Sequence, residues 1–334
     1  MPDMEAFEGG FDDTPRWRGW CSRMLAPAPV LMSSLDLFCG AGGLGLGMAA
    51  AGLSGAALDK DADSLLTHGA NMPCHPACAV SLSASTDWSP WQGTEVIMGG
   101  PPCQPFSGHG KQAGREDVRN GFPAFLSAVE ALRPRVAVAE NVRGVLYRNR
   151  EYFEAVAEDL RRLGYQVEAR LLKAEHYGVP QRRERVFLAA WRVGRWEWPE
   201  PFVSSPVSTG VALGEGMART RDGDRFLTPA MDAYVARYEE ASACRVPRDL
   251  DPARPSRTVT TRNLGSATSD MLRVRLSDGR RRMLSLDEGA LLQGFPEEFR
   301  FVGGPASVAR QIGNAVPPLM GLAVARSAQR AAGT

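Results

Sequence analysis

Asp36-Leu37-Phe38-Cys39-Gly40-Ala41-Gly42-Gly43-Leu44-Gly45 is an apolar run that breaks into glycines and resumes as a helix. Glycines permit positive φ and close backbone approach, and a helix start presents free N–H groups. Asp59, about twenty residues on, ends the next apolar run, a place where a carboxylate can take ribose hydroxyls. Loop and acid together imply a nucleoside cofactor, with NAD and S-adenosylmethionine both open at this point. Outward from this unit, strands are expected at 35–38, 56–59, 96–98 and 136–140, with helices at 43–51, 61–70, 122–132 and 149–163. Further strands are expected at 166–172 and 185–191. The alternation predicts an α/β fold whose doubly wound parallel sheet is covered on both faces.

The chain has 334 residues, a formal charge of +1 and a pI near 7.6, so global charge neither demands nor excludes nucleic acid. Its length suits one large or two modest domains. No signal peptide or bilayer-spanning apolar run is visible, and the expectation is a cytoplasmic chain with no membrane association. Six scattered cysteines give no disulfide framework. Cys74-His75-Pro76-Ala77-Cys78 lacks a second ligand pair at zinc spacing, so no metal is expected. Residues 1–32, rich in Gly, Pro, Asp and Trp, read as a loose extension, with ordered structure beginning near Met32.

Gly99-Gly100-Pro101-Pro102-Cys103-Gln104-Pro105-Phe106-Ser107 follows the apolar run Val96-Ile97-Met98. Its prolines cannot continue a helix or a central strand, so the turn sets one thiol at the carboxyl edge of the sheet, where open α/β sheets bind ligands. Cys103 therefore reads as a nucleophile. Glu140 ends another strand and reaches the same edge. A thiol beside a general acid suits conjugate addition to an electron-poor ring. In Gln181-Arg182-Arg183-Glu184-Arg185, alternation puts Arg183 and Arg185 on one face and Arg182 on the other. A guanidinium near Cys103 would favour its thiolate. Beyond Trp191 the regular pattern breaks. Residues 219–282 hold fourteen arginines against nine acids, which is either a solvated mixed-charge surface or a phosphate-contacting face.

These blocks together resemble the C5-cytosine DNA methyltransferase family. The resemblance rests on 36–45, 99–107, Glu140-Asn141-Val142, 181–185, 282–296 and 310–317, and covers about 33–334. It implies a Rossmann-like catalytic domain (33–192 plus 308–334) and a smaller, mostly β or irregular target-recognition domain with hinge (193–307). It further implies methyl transfer from S-adenosylmethionine to C5 of a cytosine flipped out of duplex DNA, releasing S-adenosylhomocysteine without a metal. By this resemblance Cys103 adds to C6, Glu140 holds the base, and Arg183 and Arg185 steady base and thiolate. Phe38 would stack on the adenine, Gly40, Gly42, Gly43 and Leu44 would line the methionine side, and Asp59 would take the ribose. Lys60, Pro102 and Asn314 would complete the cofactor pocket. Gln104, Ser107, Gln181, Thr258, Thr260 and Arg262 would face DNA, with Arg262 a candidate for guanine. Lys60, Ser81 and Lys173 depart from the family's usual residues without removing a chemical role. A monomer is implied, with a cognate restriction endonuclease acting on the same site without a stable complex. A tRNA cytosine methyltransferase on the same catalytic domain, or a catalytically silent DNA-binding relative, is the alternative.

Overall fold

The computed structural model describes residues 11–26, 28–73, 75–102, 120–147, 149–241, 248–265 and 270–334. Seven strands form one sheet: β1 (Met32–Leu37), β2 (Leu53–Asp59), β3 (Ala77–Ala79), β4 (Val96–Gly99), β5 (Val136–Val142), β6 (Gln166–Lys173) and β7 (Glu184–Trp191). Their spatial order is β3-β2-β1-β4-β5-β7-β6. β7 runs antiparallel to both β5 and β6, while β1, β2, β3, β4 and β5 pair in parallel. The chain order reverses between β1 and β4. The glycine loop after β1 and the Gly99–Pro102 turn after β4 therefore meet at the crevice that such a switch point opens.

Alternate residues of each central strand feed two cores. Leu35, Leu37, Ile97, Ala137, Ala139, Val186 and Leu188 face one side. There α4 (Phe122–Leu132) covers them with Phe122, Phe125, Ala128, Val129 and Leu132, and α5 (Arg150–Arg162) with Phe153, Val156, Ala157 and Leu160, each set at helical spacing. Val96, Met98, Val136, Val138, Phe187 and Ala189 face the other side, under α2 (Gly43–Ala50) and the buried α11 (Pro318–Gly333). These two helices touch backbone to backbone. A Cβ on Gly47 would lie 2.3 Å from the Leu322 nitrogen, so no larger residue fits there. α3 (Ala62–Asn71) lies between β2 and β3 and is capped by the Asp61 carboxylate.

The expectation of a loose extension over residues 1–32 is corrected for 11–26; residues 1–10 lie outside the described set. α1 (Thr14–Ser22) is capped by Asp13 and buries Trp17, Trp20 and Cys21. Trp17 Nε1 donates to the Gly178 carbonyl at 2.8 Å, and Arg18 donates to the Ala212 and Leu213 carbonyls and to Glu297. Thus α1 braces the β6–β7 connection against α6 (Thr209–Leu213). Its apolar residues span only two turns between Gly- and Pro-rich flanks, too short for a sustained period.

Beyond Trp191 come α6, α7 (Pro229–Ala241), α8 (Thr261–Gly265), the ribbon of β8 (Arg273–Arg275) and β9 (Arg281–Met283), α9 (Leu286–Leu292) and α10 (Pro305–Asn314). Helix α10 spans the boundary expected at 307/308. Much of this part shares the core of the α11 face, through Leu213, Leu264, Leu272, Leu291 and Phe295. A separate small cluster of Leu227, Val235, Met271 and Met283 lies beneath α7.

Candidate active site

Glu140 on β5 and Arg185 on β7 meet at the carboxyl edge of the sheet. The register sets Val142 opposite Arg185, so Glu140, two residues back, shares that face. Arg185 Nε lies 2.8 Å from Glu140 Oε1, with the two side chains only 13% and 12% exposed. Burial lifts the Glu140 carboxyl above the usual carboxylate range, although Arg185 and Arg183 pull the other way. Arg185 also donates to the Glu184 carbonyl at 2.8 Å.

The turn after β4 runs along this pair. A Cβ on Gly100 would lie 3.4 Å from Glu140 Oε2. Asn141, next to Glu140, donates its amide to the Pro101 carbonyl at 3.1 Å, and the Pro102 carbonyl accepts from Gly121 at 3.0 Å. The chain is therefore pinned beside Glu140 up to Pro102. Cys103, Gln104 and Ser107 lie outside the described residues. Asn141 stood in the quoted Glu-Asn-Val block, but a buried amide aimed at a carbonyl forty residues away leaves no trace in spacing.

Phe38 leaves β1 with φ of 58°, a strained conformation for an aromatic residue that clusters at functional sites. Its ring end lies near Gly121, beside Pro102. Gly40 and Gly42 also have positive φ. Where a Cβ on Gly40 would stand there is open space, whereas one on Gly43 would strike the Val316 carbonyl at 2.3 Å. Gly40 thus faces the crevice, and Gly43 faces the C-terminal block; Leu44 packs against Gly321 of α11. Asp59 bridges loop and strand, with Oδ2 accepting from Gly40 N at 2.9 Å and Oδ1 from Lys60 N and Asp61 N. Lys60, Ser81 and Asn314 are exposed.

Beneath the loop lies a polar pair to which no role was assigned from sequence. Asp36 and His68 are buried, and among the described residues neither the carboxylate oxygens nor the ring nitrogens meet full hydrogen-bond geometry. A Cβ on Gly45 would stand 2.9 Å from Asp36 Oδ2 and 3.1 Å from His68 Cε1. Burial, then the Asp59 charge, raises the Asp36 carboxyl well above its ordinary range, while burial and His75 lower His68 to about 4. Both groups are thereby driven toward their neutral forms.

The two arginines grouped as catalytic are placed differently. Arg183 is fully buried and donates to the Val259 carbonyl at 2.8 Å, Gly313 at 3.0 Å and Ala315 at 2.9 Å. Gln181, expected to face DNA, is also fully buried: it donates to the Leu292 carbonyl and to Gln293, and its Oε1 accepts from Val259 N at 2.7 Å. Thr258 donates to the Arg182 carbonyl, and Thr260 caps α8 through Asn263 N. Arg183, Gln181 and Thr258 lock the segment 256–261 onto the start of β7. Arg262 remains exposed. Part of the arginine excess of 219–282 is tied up in ion pairs. Arg273 pairs with Glu239 and Asp249, Arg281 with Asp232, Arg282 with Glu288 and Arg257 with Asp270.

The sequence profile of the family described as C-5 cytosine-specific DNA methylase matches residues 32–330. The chain belongs to this family. It is a DNA cytosine-5 methyltransferase. It is 46% identical over 296 residues to the Type II methyltransferase M.AplI of Arthrospira platensis, covering 88% of this chain and 84% of that relative. It is 32% identical over 323 residues to the Type II methyltransferase M1.HphI of Haemophilus parahaemolyticus, covering 89% and 86%. In fold, a crystal structure of a Spodoptera frugiperda DNMT2 mutant superposes with a TM-score of 0.70 at 18% identity, covering 89% of this chain and 99% of that one. The family match leaves α1 outside its span. Among the described residues no helix is long and apolar enough to cross a membrane.

Proposed function

We propose that this methyltransferase acts on a cytosine extruded from one short duplex DNA sequence, with S-adenosylmethionine as methyl donor and Cys103 as nucleophile. The Glu140–Arg185 pair, set beside the turn that leads into Cys103, carries this reading. The crevice fits the donor. Gly40 leaves the loop open on one side, and Phe38 brings its ring to the Pro102 side. Asp59 has three of about four acceptor positions filled by backbone N–H groups, which leaves Oδ2 one for a ribose hydroxyl. Phe38, Gly40, Gly42, Asp59, Lys60, Pro102 and Asn314 would hold the cofactor, with Gly43 and Leu44 backing the loop against α11. When bound, it supplies an electrophilic sulfonium methyl.

Cys103 sulfur forms a bond to C6, and the electron pair of the C5–C6 double bond makes C5 nucleophilic toward that methyl. Negative charge gathers on the ring as the bond forms. Glu140, biased toward its protonated form by burial, donates a hydrogen bond at N3, and Arg185 fixes its orientation. Loss of the C5 proton and cleavage of the S–C6 bond then restore the aromatic ring. The target atom is inaccessible within a stacked duplex, so the base leaves the helix. The protein would act as a cytoplasmic monomer, with a nuclease of the same specificity acting independently. Transfer of tritium from methyl-labelled S-adenosylmethionine to duplex DNA, mapped to C5 of cytosine, is the expected result. Label entering tRNA and not duplex DNA would overturn the reading.

A further inference from the structure

The arginines of the recognition part that form ion pairs with Glu239, Asp249, Asp232, Glu288 and Asp270 are held away from a ligand. Two other cations flank the seam between the segment 256–261 and the start of β7. Arg182 and Arg262 are exposed, and neither forms an ion pair among the described residues. Arg221, Arg225 and Arg237 are exposed as well, but they lie on α7 and the segment before it.

Arg182 sits two residues before β7 begins at Glu184, held in place by its own backbone. Its N–H donates to Ser256 O at 2.9 Å, and its carbonyl accepts from Thr258 Oγ1 at 2.7 Å. Its neighbours Gln181 and Arg183 are fully buried in the same seam. Arg262 follows four residues after Thr258, on α8. That helix is tied to the seam through Asn263, which donates to the Thr258 carbonyl, and its Thr261 lies 3.5 Å from Asn314. The two guanidinium groups therefore belong to the two segments that the seam joins, one on each side. The acid nearest Arg182 in the chain is Glu184, and Arg143 holds it at 2.6 Å. Exposed Lys173 faces Glu184 across β6 and β7.

We propose that Arg182 and Arg262 form a two-sided clamp on the phosphates of the DNA strand that presents the target cytosine. The proposal rests on the duplex-DNA reading above. A strand whose base has left the stack is held by its sugar-phosphate backbone, and guanidinium forks bind phosphate oxygens in pairs. Phosphate rather than a base edge is the partner of Arg262 because the polar groups around it are engaged internally. Thr258, Thr260 and Asn263 all bond within the seam, so none of these three stands ready to orient a base contact.

The test is equilibrium binding of the full-length protein to two duplexes, one carrying its mapped methylation site and one without it, between 50 and 200 mM KCl. Arg182→Gln and Arg262→Gln should each flatten the slope of log K against log salt by about 0.9, equally on both duplexes, with thermal unfolding unchanged. Arg182→Lys and Arg262→Lys should keep the slope. Unchanged slopes in the Gln variants would overturn the clamp. So would an Arg262→Gln protein that keeps its slope but loses discrimination between the duplexes, since that assigns Arg262 to a base. A parent protein without salt-dependent DNA binding would overturn the duplex-DNA reading itself.

Discussion

Replacing Arg183 and Arg185 in turn should separate scaffold from chemistry. Arg183→Met keeps an unbranched stem and deletes the cation whose bonds reach Val259, Gly313 and Ala315. Each bond from a charged donor contributes about 1.5–3 kcal/mol. Three such bonds, less the desolvation that a buried cation no longer costs, leave a loss of about 3–5 kcal/mol. At about 2–4 °C per kcal/mol, the melting temperature should fall by roughly 6–20 °C. Arg185→Met removes the partner of Glu140, but Glu140 is already biased toward its neutral form by burial and can take up a proton instead of remaining an unpaired charge. Its stability should stay within about 1 kcal/mol of the parent, about 2–4 °C in melting temperature, while methyl transfer at saturating cofactor falls by about a hundredfold or more. Differential scanning calorimetry and single-turnover methylation read the two quantities. Equal melting temperatures for the two variants, or full methylation by Arg185→Met, would refute the division of labour.

Trp17→Ala should destabilise the protein by about 3–5 kcal/mol, because the indole is fully buried and its Nε1 bonds Gly178; an unchanged melting temperature would mean α1 is not docked. His68 has a folded pKa near 4 against 6.5 for the free group, so its contribution is fully present above pH 6.5 and is lost as pH falls toward 4. Asp36, raised by burial, opposes this, so the comparison is with His68→Gln: relative to that variant the parent should lose about 3 kcal/mol between pH 6.5 and 4, and parallel stability curves would contradict it. Gly47→Leu should prevent α2 and α11 from docking, since even a Cβ would stand 2.3 Å from the Leu322 nitrogen; a soluble, fully active Gly47→Leu protein would show that the two backbones do not meet.

The sheet was legible because its central strands are short apolar runs bounded by glycine and proline, and β4 and β5 lie within a residue or two of where their Val-rich patterns place them. The Glu140–Arg185 face was legible through alternation. What distinguishes Arg185 from Arg183 was not, because the carbonyls that capture Arg183 come from Val259, Gly313 and Ala315, 76 to 132 positions away. The fate of the arginines of 219–282 was hidden for the same reason: Arg273 finds Glu239 34 residues back and Asp249 24 residues back, and a charge count carries no such pairing. α1 escaped notice because two turns of helix between loose flanks show no sustained period.

The central claim is that Cys103 attacks C6 of a cytosine whose C5 then receives the methyl group. A duplex carrying 5-fluorocytosine at the mapped target position tests it directly, since fluorine at C5 cannot leave as a proton does and the S–C6 bond cannot be released after methyl transfer. The account predicts a denaturation-resistant protein–DNA adduct that forms only with S-adenosylmethionine present, and whose digested peptide carries the nucleotide on Cys103. Absence of an adduct from an enzyme that methylates the unmodified duplex, or an adduct on any other cysteine, would contradict it.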